Sequence, residues 1–203
     1  MSLTNEQKAN AIFIRDALNN VGIDSRLLQV AIISVCYKES GLVPRRENLN
    51  YSKERIMQCW PKTNPATAAA IEHNPEATGN YLYGGKYGNA QNEGFKYRGG
   101  GHNQITFKDI YADFGANPDT INEPKEAARV VSVFFKRVLA QGIKLGKFKQ
   151  FGATTLLDIK AQDAAIRIAI QCNAGLGTSF TNGLVQEGYK HAVAISPTIN
   201  LAI

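Results

Sequence analysis

Two carboxyls and a group of polar side chains stand close together in this chain: Glu39-Ser40-Gly41 and, eight residues after Glu39, Glu47-Asn48-Leu49-Asn50-Tyr51-Ser52. A carboxyl pair is what hydrolysis of a glycosidic bond with inversion requires. One acid protonates the leaving oxygen, and a second carboxylate activates water on the opposite face of the sugar ring. The two must differ in surroundings. Glu39 closes the apolar run Leu27-Leu28-Gln29-Val30-Ala31-Ile32-Ile33-Ser34-Val35-Cys36-Tyr37, which reads as a buried helix. A partly desolvated carboxyl with a raised pKa is expected there, as a general acid needs. Glu47 follows Gly41, Pro44 and Arg45-Arg46, a cationic loop favouring the ionised form of a general base. Eight extended residues would reach roughly 26 to 29 Å, whereas inverting carboxyls stand about 6.5 to 9.5 Å apart, so the segment must turn back, and Gly41 and Pro44 permit it. Taken blind, two glutamates read first as a helix cap or arginine partner and a solvated loop residue.

A second segment is dense in glycines, aromatics and amides: Tyr83-Gly84-Gly85-Lys86-Tyr87-Gly88-Asn89, then Asn92-Glu93-Gly94-Phe95-Lys96-Tyr97-Arg98-Gly99-Gly100-Gly101-His102-Asn103-Gln104-Ile105-Thr106. Glycines let a backbone approach a ligand closely, and amides and hydroxyls can read sugar hydroxyl and acetamido groups. Together with the two glutamate motifs, this segment resembles the family 19 glycoside hydrolases, the chitinase-like enzymes that include bacteriophage endolysins. The resemblance runs from about Ala31 to Tyr111, and Cys172-Asn173-Ala174-Gly175 is similar to the family's Asn-Gly-Gly turn. It implies that Glu39 is the general acid, Glu47 the general base, and Thr106 the hydroxyl that helps hold the attacking water. It also implies substrate contacts at Tyr97, Arg98, Gln104 and Asn173. Two departures stand out: Arg98-Gly99-Gly100-Gly101 replaces the usual Arg-Gly-Arg-Gly, and Ile110 replaces an asparagine, so one arginine and one amide are missing. By themselves the glycine run reads as a flexible loop, and Tyr81, Tyr83, Tyr87 and Tyr97 as ordinary packing.

Positioning these groups falls to a mainly α chain. Helices are predicted from Thr4 to about Asn20 (Thr4 and Gln7 forming a capping box), from Asp24 or Ser25 to Glu39, near Lys53 to Cys59 and Pro65 to His73, from Pro124 to about Gln141, from about Asp158 to Cys172, and from Leu184 to Ile195. Between Gly79 and Gln104 the glycines and aromatics break helical periodicity, so loops or a small sheet are expected. The resemblance implies a lysozyme-like, two-lobed single domain over residues 1–203, with a small irregular or β-containing loop region. A length of 203 residues and 44% apolar content suit one such domain.

Charge adds a second clue. The net charge is +6, and Arg129, Lys136, Arg137, Lys144, Lys147 and Lys149 lie in a stretch from Ala127 to Gln150 that has no acid. Such a face favours anionic surfaces such as bacterial envelopes, with an attraction that weakens in salt, or is simply solvated. No zinc-ligand spacing or RNA-binding signature points to nucleic acid. Cys36, Cys59 and Cys172 are odd in number, so free thiols are expected, and neither they nor His73, His102 and His191 show metal-site spacing. Hydrolysis would need no cofactor or metal. No apolar run is long enough to span a bilayer, and the amino terminus shows no basic-then-apolar export signal. The expectation is a peptidoglycan glycosidase of endolysin type, a monomer held in the host cytoplasm before lysis and reaching the wall through a holin or similar pore. A chitinase, a lytic transglycosylase, a virion-associated lysin and an inactive wall-binding protein stay open as alternatives.

Overall fold

Six helices begin where a short polar side chain can take up a backbone N–H that the helix leaves free. In the computed structural model, which describes residues 2–203, these caps are Thr4, Ser25, Ser52, Asn64, Asn74 and Asn182. The helices are α1 (Asn5–Asn20), α2 (Arg26–Ser40), α3 (Lys53–Cys59), α4 (Pro65–Ile71), α5 (Pro75–Tyr83), α6 (Lys108–Asp113), α7 (Pro124–Lys144), α8 (Gln162–Ala174) and α9 (Gly183–Ala202). The chain is mainly α, as the sequence pattern predicts, and the capping box at Thr4 and Gln7 is present in full. Among the described residues the only β pairing is one antiparallel bridge, Gly100 to Ile105. None of the described helices is long and apolar enough to cross a membrane.

The chain forms two compact units. The first comprises residues up to Pro44, the short excursion Gly101–Asn103, and Ile121–Ile203. Its centre is α2, in which every residue from Leu28 to Cys36 is buried. A helix apolar on all sides belongs in an interior, and α1, α8 and α9 pack around this one. The two polar side chains in that run are satisfied locally, Ser34 Oγ donating to the Val30 carbonyl at 2.7 Å and Gln29 Nε2 to the Ile23 carbonyl at 2.8 Å. Cys36 and Cys172 are buried free thiols in this core, and burial pushes both far up from the usual thiol range, with the Glu39 charge adding to the rise at Cys36.

Two helices of this unit run past the ends expected from sequence. Helix α7 continues through Gly142 because that glycine makes room for Phe148: a Cβ there would lie 2.2 Å from the Phe148 ring. The helix stops at Leu145 instead, ahead of Gly146 at φ 65°. Helix α9 continues through Pro197. Proline removes the N–H that the Val193 carbonyl would accept, and Ser196 Oγ donates to that carbonyl at 3.1 Å in its place. Helix α8 starts four residues later than expected, since Asp158 is spent on the preceding turn. Its carboxylate accepts from Thr154 N, Thr154 Oγ1 and Thr155 N, each at 2.7 Å, and those bonds hold it down at about 2.

The second unit comprises Arg45–Gly100 and Gln104–Thr120. Its apolar cluster is smaller, Ile56, Ala68 and Ile71 with Tyr51, Met57, Trp60 and Ala77 packed against it. Two short helices here were not predicted: α5 runs on into the segment beginning at Gly79 where loops or a small sheet were expected, and α6 lies beyond that segment. In α5 the glycine that suggested a break, Gly79, lies against Phe95, whose Cα would stand 2.8 Å from an added Cβ. It marks close packing rather than a helix end.

Gly142→Ala separates intrinsic propensity from packing. In an exposed helix the change stabilises by roughly 1 kcal/mol. Here the added methyl meets the Phe148 ring, so a loss of about 1–3 kcal/mol is expected in urea unfolding. An unchanged or raised midpoint would show that Phe148 does not constrain α7.

Candidate active site

Glu39 sits in the last turn of α2, where Gly41, in the left-handed conformation at φ 65°, ends the helix. It is reached by two donors of the first unit, both on Oε1: Lys38 Nζ at 2.9 Å and Asn173 Nδ2 at 3.1 Å. Its side chain is a quarter exposed, at 25%, so it faces an ion pair and solvent rather than a dry apolar wall. Lys38, Glu39, Asn173, Thr178 and Asn182 share a pocket of about 270 Å³ whose floor includes Ile170, Val185 and Gly188. The loop on its far side is fastened from below, as Gln171 Nε2 donates to the carbonyls of Gly175 at 2.8 Å and Thr178 at 2.7 Å. The structure thus brings Asn173 to Glu39, as a partner of its carboxyl. A second pocket of this unit, about 430 Å³ and lined by Phe13, Asp16, Lys125 and Arg129 among others, holds none of the sequence-predicted residues.

The end of α2 has a further support. Ser40 Oγ donates to the Cys36 carbonyl at 2.9 Å, so its oxygen is left to accept from His102 Nδ1–H at 3.1 Å. This fixes the tautomer and leaves the His102 Nε2 lone pair buried without a protein partner. Burial presses His102 down to about 4, so the ring is neutral at pH 7. Spacing alone made His102 one of three scattered histidines, because nothing local marks its bond to Ser40.

In the second unit Glu47 is held by its neighbours in space rather than by a helix. Its backbone N–H donates to the Gly99 carbonyl at 2.8 Å, and its carbonyl accepts from Arg98 Nε at 3.1 Å. The Tyr83 hydroxyl lies 3.0 Å from each carboxylate oxygen, and Gly99 N donates to Oε2 at 3.4 Å. Burial first, and then the Glu47 charge, push the Tyr83 phenol well above its ordinary range. It therefore remains a donor to the carboxylate at any working pH. Tyr83 is the residue that sequence reasoning missed, having read it as packing; its signal was its place at the head of the glycine-rich segment.

Of the remaining predicted residues of this unit, Arg98 bonds directly to Glu47, whereas the bonds and ring contacts of Tyr97, Gln104 and Thr106 are to other residues. Arg98 is stacked on Phe95 at 3.8 Å, donates to the Phe95 carbonyl at 2.8 Å, and buttresses the Glu47 backbone. Gln104 Nε2 donates to the Arg45 carbonyl at 2.8 Å, and the Gln104 carbonyl accepts from Thr106 Oγ1 at 3.2 Å. Gly99 allows this close fit, since a Cβ there would lie 3.0 Å from Gln104 Oε1 and 3.3 Å from Glu47 Cβ. Tyr97 packs edge-on against Tyr111 and accepts a bond from Phe107 N on its carbonyl at 2.8 Å. Tyr111, pushed up to about 12 by burial, donates to the Arg98 carbonyl at 3.1 Å. One carboxyl with an amide and a pocket, and one carboxyl with a phenol and a hydroxyl-bearing loop, are groups suited to moving protons at a polar substrate.

No protein-family model matches the chain. A stretch of 117 residues is 35% identical to the "Glycosyl hydrolase family 19 domain-containing protein" of Haemophilus influenzae. The chain is similar to a protein of that name. The match takes in 55% of this chain and 58% of the relative, so the chain spans little more than half of that protein's length.

His102 gives a pH test of this arrangement. Unfolded, the imidazole takes up a proton near pH 6.5, whereas the folded protein holds it neutral down to about 4. The unfolded chain binds more protons in that window, so stability falls as pH drops through it. Between pH 6.5 and 4.5, wild type should lose about 2 kcal/mol more than His102→Gln in denaturant titrations. Parallel losses in the two proteins would mean that the ring is not held neutral.

Proposed function

We propose that the protein is a peptidoglycan hydrolase of endolysin type, a single catalytic domain that cuts the β-1,4 bond after N-acetylmuramic acid with inversion. Glu39 protonates the leaving oxygen, and Glu47 takes a proton from the attacking water, with Thr106 helping to hold that water. Tyr97, Gln104 and Asn173 contact the glycan, and Arg98 braces the Glu47 segment. The observation that carries the reading is that each of the two carboxyls is held by donors of its own. Glu39 carries an ammonium and an amide on one oxygen, whereas Glu47 has a neutral phenol shared across both. An inverting mechanism needs two such carboxyls, and the assignment of the acid to Glu39 and the base to Glu47 follows the family resemblance; the Lys38 ion pair is not the desolvated setting expected for an acid. The similarity to a protein named for a family 19 glycosyl hydrolase domain supports the same reaction class.

Peptidoglycan is favoured over chitin by charge. Lys136, Lys144, Lys147 and Lys149 are all exposed, and exposed cations concentrate the protein on an anionic wall. Arg129, by contrast, is paired with Glu126 at 2.7 Å. Release from a host cytoplasm through a holin or similar pore, and action as a monomer, belong to this proposal.

The test is mass spectrometry of borohydride-reduced products from purified peptidoglycan. Disaccharides ending in reduced N-acetylmuramic acid are expected. Anhydro ends would make the protein a transglycosylase, with Glu47 dispensable, and products from chitin oligomers alone would make it a chitinase. Glu39→Gln and Glu47→Gln should each fold normally and lose at least about 100-fold in turnover. Full wall lysis by Glu39→Gln would remove it from the role of acid.

A further inference from the structure

Tyr87 is the most exposed aromatic ring described, at 68%, yet it is not a loose surface side chain. Its backbone has φ 43°, and that of Phe107, the ring beneath it, φ 76°. Both lie in the left-handed region that side chains other than glycine's rarely adopt, at a cost of about 1–3 kcal/mol each. The turn that presents Tyr87 is fixed at several points. Asp109 N donates to the Tyr87 carbonyl at 3.2 Å, and the buried Asn89 donates to the Tyr83 carbonyl at 2.8 Å while accepting from Lys108 N at 2.9 Å. Gly88 leaves space for Asp109, whose carboxylate oxygen would stand 2.1 Å from a Cβ at that position.

The rings form a continuous line within the second unit. Tyr87 and Phe107 have centroids 4.7 Å apart, Phe107 meets Tyr83 edge-on at 5.5 Å, and the Tyr83 hydroxyl reaches Glu47. Strain of this kind persists where the surrounding structure enforces a conformation for use. Packing does not need the Tyr87 ring, because most of it is in solvent. A pyranose ring has an apolar C–H face that lies flat on an aromatic ring and an edge of hydroxyls that need acceptors. The exposed Asp109 carboxylate beside Gly88 is such an acceptor.

We propose that Tyr87, seated on Phe107, forms a stacking subsite for an amino-sugar ring of the glycan strand, at the end of an aromatic line that begins at Glu47. The proposal rests on the glycosidase reading for its substrate class. The ring fixes a sugar remote from the scissile bond, so it sets how much of a glycan the protein grips rather than the chemistry itself.

Titration calorimetry with soluble β-1,4 N-acetylglucosamine oligomers and peptide-free glycan strands tests it, alongside turnover of purified peptidoglycan. Tyr87→Asn suits φ 43°, so it should fold with an unchanged or higher Tm. It should nevertheless bind the longer glycans about 5- to 10-fold more weakly, raising KM with kcat within about 2-fold. Tyr87→Trp should restore binding, which a merely structural role would not require. Wild-type affinity in Tyr87→Asn, or no binding of any glycan by wild type, would overturn the subsite. Turnover that is intact but indifferent to Tyr87 would overturn the subsite and leave the hydrolase reading standing. Tyr87-dependent binding without any turnover would do the reverse.

Discussion

Helix α2 must be covered on every side, and the first unit is organised around meeting that constraint. A run of nine buried residues from Leu28 to Cys36 leaves no face for water, and removing it from water stabilises the unit through the hydrophobic effect. The preceding helix α1 and two helices distant in sequence, α8 and α9, supply the cover. The helix can end only where polar groups become affordable, and that is the turn carrying Glu39, Ser40 and Gly41. Glu39 thus stands at the margin of the core with a rigid helix behind it, while Ser40, one residue on, is locked to His102 and the Cys36 carbonyl. A rigid element holds a functional group more accurately than a loop does.

Glu47 reaches a comparable degree of fixation by other means. No helix carries it; a backbone bond to Gly99, a guanidinium on its carbonyl and a phenol on its carboxylate hold it in place. Arg98 illustrates how a residue can serve a site without facing a substrate. Its guanidinium is occupied by Phe95 and by the main chain of Glu47. The glycines beside it matter for what they omit, since a side chain at Gly99 would displace Gln104 or Glu47.

Where local chemistry decided the outcome, the sequence was legible. Thr4 with Gln7, Ser52 ahead of Lys53 and Pro124 at a first turn each act within a few residues, and α1, α3 and α7 begin where those signals lie. Where a tertiary contact overrode the local signal, the sequence misled. Gly79 and Gly142 read as helix breakers but are contact points for Phe95 and Phe148. Helix α9, expected to end at Ile195, runs on through Pro197 because a neighbouring serine supplies the bond that proline cannot. The candidate site divides the same way. Glu39, Glu47 and Asn173 could be singled out through their motifs and the family resemblance, whereas the bonds that Tyr83 and His102 make join positions far apart in sequence, and no local pattern marks them.

The order in which the cover of α2 is made has a consequence for synthesis. Helix α2 is complete at Ser40, but α8 begins only at Gln162 and α9 at Gly183. At roughly 5 to 20 residues per second on the ribosome, this core helix waits on the order of 6 to 24 s for its first late partner. During that interval the segment is a natural client for chaperones that hold exposed apolar stretches. Residues 45–120, which include all of the second unit, emerge in the meantime, so the second unit has the chance to fold while the first is still waiting for its last helix.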